Sequence, residues 1–295
     1  MTGVTVRRSR RTRSRPDGPV GQYPRAIGAT TGDRHRLGPP TGRRKVPCYR
    51  AWVDTTLIDR QANPRAEAAP LRARWLGRVD YAAAYDLQKH LVDARAVDSI
   101  GDQLLLLEHP PVLTLGRHSD PAHIRATDAE LGARAIEVVR IERGGEVTYH
   151  GPGQLVAYPI VKLHDRGILL RPFVRALEAA MIETCAAQGV AAARRDGHPG
   201  CWCDPDGPAP RKIGALGLRV ERGVSYHGIA LNVTVDLDDF DLIDPCGMPG
   251  VVSTSIALER GDTDAQPSTS SVEGAAWIFA RAFASAIDAP LDIET

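Results

Sequence analysis

No apolar run in this 295-residue chain reaches the roughly 18 residues that a membrane helix needs. Even LLLLEHPPVLTLG is broken at Glu108 and His109, so a soluble protein with no membrane partner is expected. No GxGxxG motif sits between an extended and a helical pattern, which excludes a Rossmann dinucleotide site, and no unit of 20–50 residues repeats. The apolar segment of a secretory signal is missing, and Pro16, Pro19 and Pro24 spoil an amphipathic transit helix. Cysteine is sparse: Cys48, Cys185, Cys201, Cys203 and Cys246 are odd in number and scattered. That argues against a disulfide framework and for a reducing, cytoplasmic setting. Lysine is scarcer still, with four against 33 arginines. Lys45, Lys89, Lys162 and Lys212 are therefore informative, because burial can draw a lysine, unlike an arginine, toward neutrality.

What is present divides unevenly. Residues 1–50 hold 13 basic side chains and two acids, Asp17 and Asp33, a charge of +11. The rest holds 24 basic and 34 acidic residues, a charge of −10, so the net +1 describes neither part. The front has no apolar periodicity and many prolines and glycines, and a disordered basic extension over residues 1–70 is expected. It lacks the interleaved aromatics of a nucleic-acid-binding arm, and no nucleic-acid partner is expected. Residues 71–295 are read as one domain.

Within that domain, YAAAYDLQKHLVDARAV spaces Ala84, Leu87 and Leu91 as a helix with Asp80 as its N-cap. QLLLLEH and VLTLG read as short buried strands, and QLVAYPIV as another. A helix opens at Arg171-Pro172, with Val174, Leu177, Met181 and Thr184 on one face. KIGALGLRV and VSYHGIALNVTVDL flank a three-residue ERG turn as a hairpin. The last helix opens on a capping-box spacing at Ser270–Glu273 and turns Val272, Ala276, Phe279, Phe283 and Ile287 inward. Strands and helices intersperse without βαβ regularity, which predicts an α+β domain with a mixed, largely antiparallel sheet flanked by helices.

Chemistry is sought first among the thiols. Cys185 falls beside the apolar face of a helix and reads as packing. His198, Cys201 and Cys203 form half of a metal-site spacing with no second half, so the two cysteines read as strand residues facing one side and no metal is expected. Cys246 differs. It lies in DPCGMPG, a Pro- and Gly-rich loop just before a helix start at Ser253–Ser255. It reads either as a nucleophile or as an ordinary loop cysteine. A nucleophilic thiol needs a partner to take its proton. His109, His150, His227 and Lys212 are the candidates, Lys212 standing at the head of an apolar strand where desolvation favours the neutral amine.

EHPPVLTLGR (108–117), RGGEVTYHGPGQLVAYPI (143–160), RKIGALGLRV (211–220), HGIALNV (227–233) and PCG (245–247) together resemble the octanoyltransferases of lipoate biosynthesis over residues 75–288. The resemblance implies a fold like the biotin and lipoate protein ligases. It also implies transfer of octanoyl from acyl carrier protein to a lysine of lipoyl domains, in 2-oxoacid dehydrogenases and the glycine cleavage H protein. It makes Cys246 the acyl carrier and Lys212 its partner, with no ATP, cofactor or metal. The acyl-binding wall it implies comprises Arg143, Gly144, Gly145, Glu146, Val147, Thr148, Tyr149 and His150. Opposite these stand Ala215, Leu216 and Gly217 with Gly228, Ile229 and Ala230. Two features depart from the pattern, the CWC at 201–203 and the basic extension. Acidic carrier proteins meet basic surfaces, so a local patch of Arg117, Arg143, Arg211 and Arg219 is expected within the acidic domain. The rival reading is an ATP-dependent lipoate or biotin protein ligase, which has no use for a thiol.

Overall fold

The computed structural model describes residues 69–244, 250–262 and 271–294. Residues 1–68 of the basic extension, with Cys48, and Cys246 therefore lie outside the described residues. In chain order the elements are β1 (Leu71–Arg78), α1 (Tyr81–Ala96), β2 (Gln103–Glu108), β3 (Val112–Leu115), α2 (Asp128–Ala133), β4 (Glu137–Arg140), β5 (Thr148–His150) and β6 (Gln154–Ile160). There follow α3 (Leu170–Ala187), β7 (Ala193–Arg195), β8 (His198–Cys203), β9 (Arg211–Glu221), β10 (Val224–Asn232), β11 (Val252–Ser253), α4 (Ile256–Arg260), α5 (Val272–Ala286) and β12 (Leu291–Glu294).

The main sheet runs β12-β1-β2-β6-β10-β9-β8-β7, with β11 added to β9. β1 pairs parallel with β2 and β12, and the neighbours from β2 to β7 are all antiparallel. The sheet is thus mixed and largely antiparallel. A small second sheet, β4-β3-β5, stands apart from it.

β2 explains why QLLLLE is continuously apolar. Leu104 and Leu106 point to one face, into a core with Phe173, Leu177 and Met181 of α3 and Phe279 and Phe283 of α5. Leu105 and Leu107 point to the other, against Ala84, Leu91 and Val92 of α1. A strand covered on both faces has no polar side to alternate with, and each buried leucine contributes about 1.5–3 kcal/mol. Cys185, Cys201 and Cys203 belong to the α3/α5 core. Contact with the Cys185 thiol, followed by burial, pushes the Cys201 thiol up, and burial pushes Cys203 up to about 12. Among the described residues no three His, Cys, Asp or Glu side chains form a metal-binding group, and no helix is long and apolar enough to cross a membrane.

Three local expectations are corrected. Asp80 occupies the N-cap position of α1, but its side chain makes no capping bond. The buried face of α3 centres on Phe173, Leu177, Ala180 and Met181, leaving Val174 half-buried. The hairpin turn has two residues, since Glu221 still pairs with Val224. Arg222 and Gly223 both take positive φ (49° and 80°), as a two-residue connection matching the strand twist requires. At α5, Ser271 is the N-cap and accepts from the Gly274 amide at 2.8 Å.

Candidate active site

The β9/β10 hairpin brings two separated sequence segments into direct opposition. Gly228 pairs with Gly217, Ile229 with Leu216 and Ala230 with Ala215. The small residues leave room above the sheet, and the glycine-rich loop fills its far side, anchored where the Gly144 amide donates to the Leu218 carbonyl (3.0 Å). A small, partly enclosed cavity lies between them. Arg143, Gly145, Glu146, Val147, Thr148 and His150 line it from the loop and β5, and Ala215, Leu216, Gly217, Gly228, Ile229 and Ala230 from the hairpin.

Gly144 and Tyr149 do not line this cavity. Alternation along β5 turns Thr148 and His150 to the cavity and Tyr149 away from it, where its ring packs edge-on against Phe240 at 5.5 Å. Gly144 instead lines a neighbouring apolar groove with Lys212, Leu216 and Leu218. Three walls were not foreseen as such: Tyr81 at the start of α1, Tyr158 on β6, and His227, considered only as a base. Nothing local marks Tyr81 or Tyr158, because their places follow from α1 packing and the β2-β6-β10 order.

Close approach dictates the residue at 228. A Cβ there would run into the Ala157 carbonyl oxygen of the adjacent strand and press on Pro159. Gly228→Ala is expected to destabilise the protein by at least about 1–3 kcal/mol. A chemical denaturation curve reads this directly, and an unchanged midpoint would contradict it.

The histidines at the cavity are buried and neutral. His109 Nδ1 donates to the Val79 carbonyl (2.6 Å), so its Nε2 accepts from the Tyr158 hydroxyl (2.7 Å). Burial lowers His109 to about 4. Burial, joined by the neighbouring His109 ring and the charge of Arg143, lowers His150 to about 3 against the hydrogen bond to Gln154. Burial also lowers His227 to about 4 against the pull of Glu142. His227 takes φ 55° and its amide donates to Gln88 Oε1 (2.8 Å). Beyond it, and against its own burial, Glu142 is held below the usual carboxylate range by the hydroxyls of Tyr226 (2.6 Å) and Tyr85 (2.9 Å).

These shifts fix a pH dependence of stability. All three rings titrate lower in the folded protein than the ~6.5 of an unfolded chain, so the unfolded chain binds protons first as pH falls. The stability tied to the neutral rings is complete above pH ~6.5 and is lost on descent toward their folded values. The slope is about 1.4 kcal/mol per pH unit for each histidine. Urea unfolding between pH 7 and pH 4 should give steadily falling stability. A flat profile would contradict neutral burial.

Lys212 is buried at the start of β9, its Nζ 5.1 Å from the centroid of the Trp202 ring. It lines a small cavity that shares Thr148, Ala215 and Ala230 with the larger one and adds Gln154, Asn232 and Ser253. β11 runs parallel to β9 with Ser253 in register with Lys212, and the Thr254 amide donates to the Lys212 carbonyl (2.9 Å). On the other side of residues 245–249, the Asp244 amide donates to the His123 carbonyl (2.8 Å). Ser255 caps α4, which is only five residues long. Its Leu258 amide is bound to Ser255 Oγ and its Ala257 amide to the Val233 carbonyl, so those two donors are committed within the fold.

The expected basic patch does not form as one surface. Arg143 is buried, donating to the Thr114 carbonyl (2.7 Å), Thr114 Oγ1 (2.8 Å) and the Gly144 carbonyl (3.0 Å). Arg211 makes a bidentate pair with Glu259 (2.7 and 2.9 Å). Arg219 lines the apolar groove, and Arg117 remains exposed.

Comparison with known proteins agrees with this architecture. The fold is that of the lipoate protein ligases. It matches a bipartite lipoate protein ligase from Thermoplasma acidophilum with a TM-score of 0.54 at 14% identity, covering 77% of this chain and 88% of that one. It matches lipoate-protein ligase A bound with ATP with a TM-score of 0.55 at 15% identity, covering 78% and 90%. The family model for the lipoyl protein ligase A/B catalytic domain matches residues 80–263. An octanoyltransferase of Acidobacterium capsulatum is 48% identical over 216 residues, 70% of this chain and 88% of that protein. One of Chloroflexus aggregans is 50% identical over 187 residues, 63% of this chain and 83% of that protein. The chain belongs to the lipoyl protein ligase A/B family and, within it, to the octanoyltransferases. It is an acyltransferase that moves octanoyl groups in protein lipoylation.

Proposed function

We propose that the chain takes octanoyl from an acyl carrier protein thioester onto Cys246 and passes it to a lysine amine of a lipoyl domain. The single observation that supports this reading most is the position of Lys212. It is buried in a small cavity that shares Thr148, Ala215 and Ala230 with the larger one, and it is registered with the strand that follows residues 245–249. The thiol proton goes to the Lys212 amine, and the thiolate attacks the octanoyl carbonyl. The tetrahedral intermediate then expels the carrier thiol, which regains a proton. In the second half-reaction the acceptor amine attacks the enzyme thioester, the Cys246 sulfur leaves, and an amide remains. Thioester exchange is nearly even in free energy and amide formation is downhill, so no ATP is consumed.

The Arg143–Thr148 loop and the glycines of β9 and β10 form the acyl wall in this reading. The acceptors are the lipoyl domains of 2-oxoacid dehydrogenases and the glycine cleavage H protein, and the work is cytoplasmic. The basic extension is a separate segment preceding a catalytic domain that begins near residue 71. The test is multiple-turnover octanoylation of a lipoyl domain by the full chain from octanoyl–carrier protein with ATP omitted. Sustained product supports the proposal. Product that appears only when ATP and free octanoate are supplied would replace it with a ligase.

A further inference from the structure

A hydrogen-bond chain whose direction is fixed from the Thr254 carbonyl back to His150 Nδ1 crosses the cavity wall. It begins at Arg143, whose guanidinium can only donate, and ends at the Thr254 carbonyl, which can only accept. Asn232 Nδ2 donates to that carbonyl (2.9 Å), which leaves Asn232 Oδ1 to accept from Gln154 Nε2 (2.9 Å). Gln154 Nε2 also donates to the Tyr149 carbonyl (3.2 Å), which fixes the same orientation independently. Gln154 Oε1 must then accept, so His150 donates through Nδ1 at 2.7 Å. At the other end Thr114 Oγ1 accepts from Arg143 (2.8 Å) and lies 3.5 Å from His150 Nε2, so its own hydrogen is free to turn toward that nitrogen when the ring is neutral. All these side chains are buried.

We propose that Gln154, backed by Asn232, is a positioning residue that locks His150 of the cavity wall in the neutral Nδ1–H tautomer, with Nε2 as the acceptor. This rests on the reading of the cavity as the acyl site. The chain also ties that wall to the Lys212 strand, since Thr254, which closes it, donates its amide to the Lys212 carbonyl. The consequence for an acyl pocket is concrete. A second cation next to Arg143 is kept away from the apolar chain, and His150 offers the bound acyl group no N–H.

The test is ¹⁵N NMR of the full-length protein with labelled histidine, alongside steady-state kinetics. In the wild type, His150 should show a protonated Nδ1 and a bare Nε2 throughout pH 6–8. In Gln154→Leu the Nε2–H form should become populated and kcat should fall roughly 10- to 100-fold through misplacement of the wall, with KM for the acceptor domain little changed. In Gln154→Glu a carboxylate faces Nδ1, and His150 should become doubly protonated near neutral pH. A wild-type His150 carrying its proton on Nε2 overturns the proposal, whether or not the variants fold. So does a folded Gln154→Leu protein with one unchanged tautomer and wild-type kcat. Because the wild-type spectrum needs no substrate, failure here is distinguishable from failure of octanoyl transfer itself.

Discussion

Cys246→Ala is expected to lower octanoyl transfer by on the order of a thousandfold or more, because in the proposed mechanism its sulfur carries the acyl chain between the two substrates. The thiols among the described residues offer no substitute. Cys185, Cys201 and Cys203 are buried in the α3/α5 core, and the last two are held as protonated thiols. The variant is expected to remain folded, because a small side chain replaces a small one in the Pro- and Gly-rich segment DPCGMPG. The measurement is the rate of lipoyl-domain octanoylation at saturating donor, with circular dichroism as the folding control. Activity within tenfold of wild type would remove the covalent route.

The second large effect is expected at Lys212. Lys212→Ala should cost roughly 10²- to 10⁴-fold in the acylation half-reaction, the range for loss of a proton-transfer partner. Lys212→Arg makes the sharper test. Arginine keeps the positive charge and much of the length but does not release its proton in a protein. If Lys212 only attracts an anion, arginine should restore activity. If it takes the thiol proton, arginine should be nearly as inactive as alanine. Single-turnover acylation, read by quenched-flow mass spectrometry, isolates the step. Raising the pH should partly rescue Lys212→Ala, because a bare thiol ionises near pH ~8.5. Full activity of Lys212→Arg would contradict the assigned role.

The elements most legible in the sequence were those whose local pattern suffices. The short continuous run QLLLLE reads as a buried strand, and the spacing of Val272, Ala276, Phe279 and Phe283 reads as a helix with one inward stripe. The hairpin was legible as well, but its turn length was not, since ERG does not say whether Glu221 stays in the ladder. What stayed hidden depends on pairings between distant segments. β12 closes against β1 some 220 residues away, as the 71–291 register shows, and nothing in LDIE signals it.

The cavity followed the same division. Its glycines and small residues were recognised as motifs, and the antiparallel register of β9 and β10 explains why two such motifs exist. Tyr149 faces away from the cavity although it sits inside the motif, because a motif names consecutive residues whereas a strand exposes alternate ones. Tyr81 and Tyr158 escaped because an aromatic in an ordinary helix start or apolar strand carries no sign of its neighbours. The chain through Gln154, Asn232 and Thr254 joins residues up to 78 apart per bond, and only the folded sheet brings them together.

The covalent claim is tested most directly by mixing wild-type protein with octanoyl–carrier protein, without ATP or acceptor, and recording its intact mass. One octanoyl increment is expected, mapping to Cys246 in the proteolytic digest and disappearing when lipoyl domain is added as that domain gains the same mass. A protein that never acquires the increment, yet still octanoylates the acceptor, would contradict the account.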